Sequence, residues 1–260
     1  MIPGIADILN SFRPVGLDKL DNVRLMDRVD TKYILPVFKI PEFLERLDGD
    51  GRVLEINGER IFDYHTVYLD TSDYSFFNQH VTGRTGRSKV RYRTYVNSGI
   101  TFLEVKMRKD GNRTIKWRIE NCLTSENKCD NEGLEFLSRH IPEEKLSISP
   151  VISNEFRRVT FVNPEFNERM TLDFNLSYRS NGPARFDMPR LAILELKTFS
   201  GLSGSRAAAI LKEMGVHPIG FSKYCVGVAV LCNPPKKNIV KTKLLLINKI
   251  ENEYTNRRSY

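Results

Sequence analysis

Lysine and arginine occupy alternate positions in several short segments of this chain, and glutamate accompanies them in two of these segments. The segments are residues 89–93, 104–108, 114–118 and 195–197. Because side chains two apart on a β-strand point to the same face, each segment would present cations on one face and apolar or aromatic groups on the other. Rows of one sign with a few carboxylates indicate a surface that binds a polyanion and its metal ion.

The carboxylates near these rows have two possible roles. Glu104, Asp173 and Glu195 would not bind phosphate themselves, but they are ligands suited to Mg²⁺ or Mn²⁺, which prefer oxygen donors and bridge protein to phosphate. The alternative role is to hold a neighbouring cation in place by an ion pair. For Glu195 the pattern favours the metal role, and for the other two both roles stay open.

Strand patterns dominate the part of the chain that must position these residues. Eight strands are predicted, over residues 28–35, 62–69, 87–96, 100–108, 113–120, 150–162, 168–176 and 191–198. Turn-like links at 97–99 and 109–112 fit antiparallel hairpins. Helices are predicted over 40–47, 132–140, 205–214 and 222–232, and a broken helical entry over 5–26.

The charged strand faces argue for a barrel over a sandwich. A sandwich must bury one face of every strand against apolar partners, whereas a barrel of about eight strands can hold one slender ligand inside. Burying unpaired cations costs several kcal/mol each, so such an interior must be wet and filled by anions. The predicted fold class is therefore α+β, an eight-stranded antiparallel barrel with helices packed outside.

Composition sets wider limits on function. The chain has 260 residues and a formal net charge of +8, which favours anionic partners without choosing among them. The four cysteines lack zinc-site spacing and are interpreted as free thiols in a reducing cytosol, and the four histidines are scattered and are interpreted as structural. No signal peptide and no apolar run of about 20 residues are found. We expect a cytoplasmic protein with no membrane span and no nucleic-acid partner.

An ordered set of motifs resembles a known family. The motifs are residues 28–33, 67–71, 91–93, 103–106, 194–197 and 221–224, and they are similar to those of VTC-domain proteins, the polyphosphate polymerases of the vacuolar transporter chaperone type. These belong to the triphosphate tunnel metalloenzyme superfamily, which includes CYTH phosphatases. The resemblance covers roughly residues 20–232. We therefore predict a tunnel domain over residues 5–232 and a basic C-terminal extension over residues 233–260.

The resemblance implies particular site residues. Phosphate-binding positions would be Lys32, Arg91, Arg93, Lys106, Lys116, Arg158, Arg169, Lys197 and Lys223. The metal would be held by Glu195, with Asp173 and Glu104 as further candidates. The catalytic set would be Lys32, Arg91, Arg93, Lys106 and Glu195.

The resemblance also implies an activity, which is the transfer of a phosphoryl group from ATP to inorganic polyphosphate with Mn²⁺ or Mg²⁺ as cofactor. Residues 28–32 depart from the E-x-E-x-K pattern of the CYTH branch, which favours the VTC branch. Two alternatives stay open. One is a triphosphatase that hydrolyses tripolyphosphate or a nucleoside triphosphate, and the other is a non-catalytic polyphosphate-binding module.

Overall fold

Eleven strands and eight α-helices make up the described part of the chain in a computed structural model. The described residues are 2, 4–21, 29–47, 49, 51–109, 114–165, 167–199 and 201–256. The helices are α1 (Ile5–Ser11), α2 (Leu17–Asp21), α3 (Ile40–Leu47), α4 (Ser75–Val81), α5 (Asn131–Ser138), α6 (Arg206–Glu213), α7 (Lys223–Leu231) and α8 (Lys241–Asn256). The strands are β1 (Arg13–Val15), β2 (Val29–Pro36), β3 (Arg52–Leu54), β4 (Phe62–Thr71), β5 (Ser88–Tyr95), β6 (Ile100–Arg108), β7 (Thr114–Glu120), β8 (Ile148–Val162), β9 (Glu168–Ser180), β10 (Arg185–Met188) and β11 (Leu191–Thr198).

Eight of the strands form one continuous antiparallel sheet, in the order β2-β11-β9-β8-β4-β5-β6-β7. These are the eight strands that the sequence predicts, and the α+β fold class is confirmed. The predicted first strand begins at Arg28, which lies outside the described residues, as do residues 22–26 of the predicted helical entry. Three short strands and helix α4 were not predicted. A strand of three residues, such as β1 or β3, is too short to show an alternating pattern.

The two ends of this sheet, β2 and β7, are not paired with each other among the described residues. Instead, the chain before α7 runs along the free edge of β2. Pro218 forms a bridge with Tyr33, and the Ile219 N–H donates to the Lys32 carbonyl at 2.8 Å. The Ser222 hydroxyl then accepts a hydrogen bond from the Lys89 ammonium of β5 at 3.1 Å. This segment therefore connects the edge of β2 to β5, a strand near the other end of the strand order.

The outer face of the sheet is apolar and lies under helices, as the alternation predicts. Leu172 and Leu194 are fully buried and belong to one cluster with residues of α1, α3 and α6. Val90 and Tyr92 are buried in a second cluster with residues of α5. Each of these residues is next in sequence to a charged one, so the neighbouring charged side chains point to the inner face.

The inner face is charged along one half and apolar along the other. On β2, Lys32 is followed two residues later by the buried Ile34, and on β11 Glu195 is preceded by the buried Ile193. The apolar residues join a cluster that includes α7 and α8. A side chain at Gly227 of α7 would meet Ile152 at 2.5 Å, so the helix lies directly against the sheet. Helix α7 thus covers the apolar half and leaves the charged half to the site.

The C-terminal segment packs against this same cluster. Val240, Ile247 and Ile250 are buried in it, and the Arg190 N–H donates to the Glu251 carboxylate at 3.0 Å. These contacts place part of the predicted extension in the core. The domain boundary at residue 232 stays a prediction. In the described part of the chain, no helix has both the length and the apolar character needed to cross a membrane.

Candidate active site

Three carboxylates of the inner face each hold two cations. All nine side chains come from the set that the sequence predicts. The groups are Arg91–Glu104–Lys116, Arg158–Asp173–Lys223 and Lys32–Glu195–Lys197. Antiparallel pairing brings one cation of each group to its carboxylate, because residues directly opposite on adjacent strands have their Cβ atoms about 5 Å apart. In register, Glu104 lies opposite both Arg91 and Arg118, and Glu195 lies opposite Lys32.

Glu104 is the most deeply buried of the three, with 1% of its side chain exposed. Its Oε2 accepts from Arg91 at 2.7 Å, and its Oε1 pairs with the Lys116 ammonium. Burial alone would raise the pKa of Glu104, but Arg91, Arg93 and Lys116 outweigh it and hold that pKa below its ordinary value. Both oxygens are therefore committed to cations.

The Asp173 carboxylate contacts two buried cations, the Arg158 guanidinium and the Lys223 ammonium. Arg158 donates to its Oδ1 at 2.5 Å and to its Oδ2 at 2.7 Å, and the Lys223 ammonium contacts Oδ2 as well. Burial opposes ionisation, yet Arg158 and Lys223 lower the pKa of Asp173 to about 2. Burial also lowers the pKa of Lys223 to about 8 despite the neighbouring carboxylate. Bidentate pairing of this kind fixes a guanidinium in one orientation.

Glu195 has the most accessible of the three carboxylates, with 18% of its side chain exposed. Its Oε2 lies 3.3 Å from the Lys32 ammonium and its Oε1 lies 3.0 Å from that of Lys197. Burial opposes ionisation, but Lys197 and Lys32 hold the pKa of Glu195 well below its ordinary value. Glu195 therefore stays ionised, and each of its two carboxylate oxygens contacts one lysine.

Arg93 and Lys106 form no ion pair with a carboxylate among the described residues. The Arg93 guanidinium lies 5.7 Å from the centre of the Tyr64 ring, and burial, with help from Arg91, lowers its pKa. Burial lowers the pKa of Lys106 to about 8. These two cations are available to an anionic ligand, since no carboxylate in the described part of the chain contacts them directly.

The inner face is curved, because Lys89 of β5 hydrogen-bonds Ser222, whose segment runs along the edge of β2. Lys106 on β6 is influenced by Asp30 on β2 and by Glu195 on β11, although these strands are at opposite ends of the strand order. Arg169 lies opposite Lys197 in the β9–β11 register. The predicted site residues therefore surround one space.

The sequence analysis missed Lys89 as a site residue. Its ammonium hydrogen-bonds Ser222, and burial lowers its pKa to about 7. The signal was present, because Lys89 stands two residues before Arg91 on the same strand and so shares its face. Tyr64 was also missed. Its ring is contacted by Arg93 and by Arg158, which lies 5.0 Å from the ring centre, but nothing in the local pattern marks it.

The donor set allows a divalent metal ion at Glu195 but does not form a complete protein site. Among the described residues, no three His, Cys, Asp or Glu side chains are close enough to share a metal. Mg²⁺ and similar ions commonly take one or two protein carboxylates and fill their remaining positions with water and phosphate oxygens. Glu195 fits that pattern. For Glu104 and Asp173, the contacts favour the second of their two expected roles, which is to hold cations in place.

Comparisons with known proteins agree with this geometry. The family model described as the VTC domain matches residues 27–232. No curated protein matches the chain in sequence.

Solved structures are similar to this chain at low sequence identity. One is a putative adenylyl cyclase from Hippeastrum, described as having a dominant triphosphatase activity. It is 14% identical, with a TM-score of 0.51, over 78% of this chain and 96% of that one. Another is a putative adenylate cyclase from Vibrio parahaemolyticus, 15% identical, with a TM-score of 0.45, over 76% of this chain and 95% of that one. The likeness to the Hippeastrum structure shows a shared fold.

Proposed function

The chain belongs to the VTC-domain family, and on that premise we propose that it transfers the γ-phosphoryl group of ATP to inorganic polyphosphate. The observation that carries the proposal is the composition of the inner face. Its cations outnumber its carboxylates, and each of the three carboxylates at its centre is already used to hold two cations. A linear polyanion can neutralise a curved row of separate cations along its length, and a phosphate chain has that form.

In the proposed mechanism the protein contributes position and electrostatics. Arg158 is fixed by Asp173, and Arg91 by Glu104, so both guanidiniums are oriented before the substrate arrives. Lys106 and Arg93 are free to neutralise the charge that moves onto the oxygens of the transferred group. Glu195 would hold a divalent metal ion, which when bound would supply further positive charge to the phosphates. Catalysis of phosphoryl transfer relies mainly on such effects.

The proposed reaction needs no covalent intermediate on the protein. A terminal oxygen of the acceptor polyphosphate bonds to the γ-phosphorus of ATP, and the bond from that phosphorus to the β,γ-bridging oxygen breaks. ADP leaves with the electron pair of that bond, and the chain is one phosphate longer. Lys32 and Lys197, both in contact with Glu195, would hold the two reacting phosphates beside that carboxylate.

Hydrolysis is the second candidate outcome. The same residues would hold a triphosphate, and water would replace the acceptor oxygen. The fold shared with the Hippeastrum protein, whose description names a triphosphatase activity, supports this alternative. A third possibility, a binding module without activity, requires that no metal be held at Glu195.

One assay separates these three readings. Purified protein is incubated with ATP and Mn²⁺, and the products are resolved by gel electrophoresis for polyphosphate and by colorimetry for free phosphate. We expect long-chain polyphosphate, with one ADP released for each phosphate residue added to the chain. Neither product should form in the presence of a chelator. Free phosphate without polyphosphate would identify a triphosphatase, and the absence of both products would leave a binding module.

Binding of long-chain polyphosphate is expected to weaken as the pH rises from 7 to 9. In the unliganded protein, burial lowers the pKa of Lys106, Lys116 and Lys223 to about 8, so each loses its proton over this range. Binding has to restore these protons, which costs about tenfold in affinity at pH 9 for each lysine involved. The internal phosphates of a long chain keep their charge throughout.

The matched variant for this pH dependence is Lys106→Arg, whose guanidinium does not titrate in this range. Its affinity, measured by fluorescence titration at constant ionic strength, should fall about tenfold less between pH 7 and pH 9 than that of the wild type. Equal slopes for the two proteins would show that Lys106 is not protonated on binding.

A further inference from the structure

A cavity of about 200 Å³ lies beside the beginning of α7, next to the charged half of the inner face. Its walls come from α4, from the segment that precedes α7, from the first turn of α7 and from α8. The side chains and backbone that matter here are those of His80, Gly220, Ser222, Cys225 and Lys243. None of them belongs to the three carboxylate groups of the site described above.

The cavity is electropositive. The Lys243 ammonium lies over Gly220, where it would be 3.9 Å from a Cβ atom at that position. Lys89 contacts the cavity wall through its hydrogen bond to the Ser222 hydroxyl at 3.1 Å. The charges that act most strongly on His80 are all positive, and they come from Lys89, Arg87, Lys106 and Lys243. Such a concentration of one sign favours the binding of an anion.

His80 adds a polar group without a partner. Its Nδ1 is buried and has no hydrogen-bond partner among the described residues. Burial and the nearby cations lower the pKa of His80, so the ring is neutral at physiological pH and has one N–H donor and one acceptor nitrogen. A buried polar atom left without a partner costs about 1–3 kcal/mol. The sequence analysis interpreted this histidine as structural, but its surroundings are those of a binding residue.

The size of the cavity suits a small oxyanion. A water molecule takes about 30 Å³ in the liquid, so the space accommodates one tetrahedral oxyanion with a few waters. An ammonium such as that of Lys243 is a point-charge donor to phosphate oxygens, and the Ser222 hydroxyl can act as a second donor. A long phosphate chain has no room to lie inside it.

We propose that this cavity is a second phosphate-binding site, formed by His80, Ser222 and Lys243 and joined to the inner face through Lys89. Its ligand is a single phosphate group, either free inorganic phosphate or the terminal group of a chain that extends past Lys89. The choice of phosphate over another oxyanion rests on the proposed function. Lys243 lies beyond residues 27–232, the part matched by the family model, so the site depends on the C-terminal segment of this chain.

The test is calorimetric titration of the full-length protein with inorganic phosphate, at an ionic strength held constant with sodium chloride. The titration is repeated with Arg93→Ala, which weakens the inner face, with Lys243→Ala, and with Lys241→Ala. Lys241 is the matched control, since it is exposed, carries the same charge and lies two residues away on the same helix.

We expect phosphate binding to survive in Arg93→Ala, to weaken at least tenfold in Lys243→Ala, and to change less than twofold in Lys241→Ala. His80→Asn should also weaken binding, which guards against an effect of Lys243 on folding alone. Binding that is lost in Arg93→Ala and unchanged in Lys243→Ala would overturn the proposal, as would equal losses in the two lysine variants or no phosphate binding by the wild type.

Competition separates the two sources of the phosphate. If the terminal group of the chain occupies the cavity, long-chain polyphosphate displaces inorganic phosphate in the wild type, and its own affinity falls in Lys243→Ala. If free phosphate is the ligand, both bind together. Phosphate binding that depends on Lys243 in a protein that neither makes nor hydrolyses polyphosphate would overturn the proposed function and leave the second site intact.

Discussion

Glu195→Gln is expected to reduce phosphoryl transfer by about 1,000-fold or more, while polyphosphate binding stays within a few-fold of the wild type. The substitution keeps the shape of the side chain and removes the charge that would hold the metal. A metal ion contributes several kcal/mol of transition-state stabilisation, and about 4 kcal/mol corresponds to a factor of about 1,000. Binding is preserved because Lys32 and Lys197, which contact Glu195, remain to hold the phosphate chain.

Turnover is measured with ATP over a range of Mn²⁺ concentrations, and binding is measured separately with tripolyphosphate. The variant should need more Mn²⁺ for half-maximal activity, which a purely structural role of Glu195 would not produce. Glu126→Gln is the control, since that side chain is 71% exposed in a surface pair with Lys128. Parallel losses of binding and turnover in Glu195→Gln, or unchanged activity, would contradict the metal role.

Asp173→Asn is expected to lower the free energy of unfolding by about 3–5 kcal/mol, because it leaves two buried cations without their counter-ion. Arg158 and Lys223 are 15% and 13% exposed, and both contact this carboxylate. For a protein of this size the loss corresponds to a fall in Tm of about 6–20 °C. Tripolyphosphate should restore part of it, because a bound polyanion supplies the missing negative charge and stabilises the native state.

The control for this experiment is Asp63→Asn. Asp63 pairs with Arg157 at 3.1 Å, next in sequence to Arg158, but these side chains are 46% and 36% exposed. An exposed pair contributes about 0–1 kcal/mol, so the Tm should change by about 4 °C at most. Thermal unfolding followed by circular dichroism, with and without tripolyphosphate, measures both variants. If the two lose the same stability, Asp173 does not hold buried charge as the structure indicates.

Local patterns predicted well the strands in which charged and apolar residues alternate. Helix α4 shows where such patterns stop. Its backbone N–H groups at Phe76 and Phe77 donate to the Asp70 carboxylate at 2.9 and 3.0 Å, and the Tyr224 hydroxyl of α7 donates to the same carboxylate. The residue that caps α4 therefore lies several positions upstream of it, whereas the N-cap position itself is Tyr74, which provides no side-chain hydrogen bond to the helix.

The candidate site was predictable as a set of side chains but not as a set of contacts. The two-residue period placed Arg91, Arg93 and Lys106 on one face, and Lys89 would have joined them by the same rule. The partner of each cation depends on strand register and on helix position. Asp173, for instance, is 15 residues from Arg158 and 50 residues from Lys223 in sequence.

The sequence by itself determined which side chains share a face, because alternation along a strand follows from backbone geometry alone. It therefore determined that the cations lie together opposite an apolar surface. Only the tertiary structure decided that α7 covers the apolar half of the inner face. It also decided that Asp173 and Glu104 are committed to cations while Glu195 keeps an accessible carboxylate. These outcomes depend on distances between elements far apart in the chain, since an ion pair requires atoms within about 4 Å.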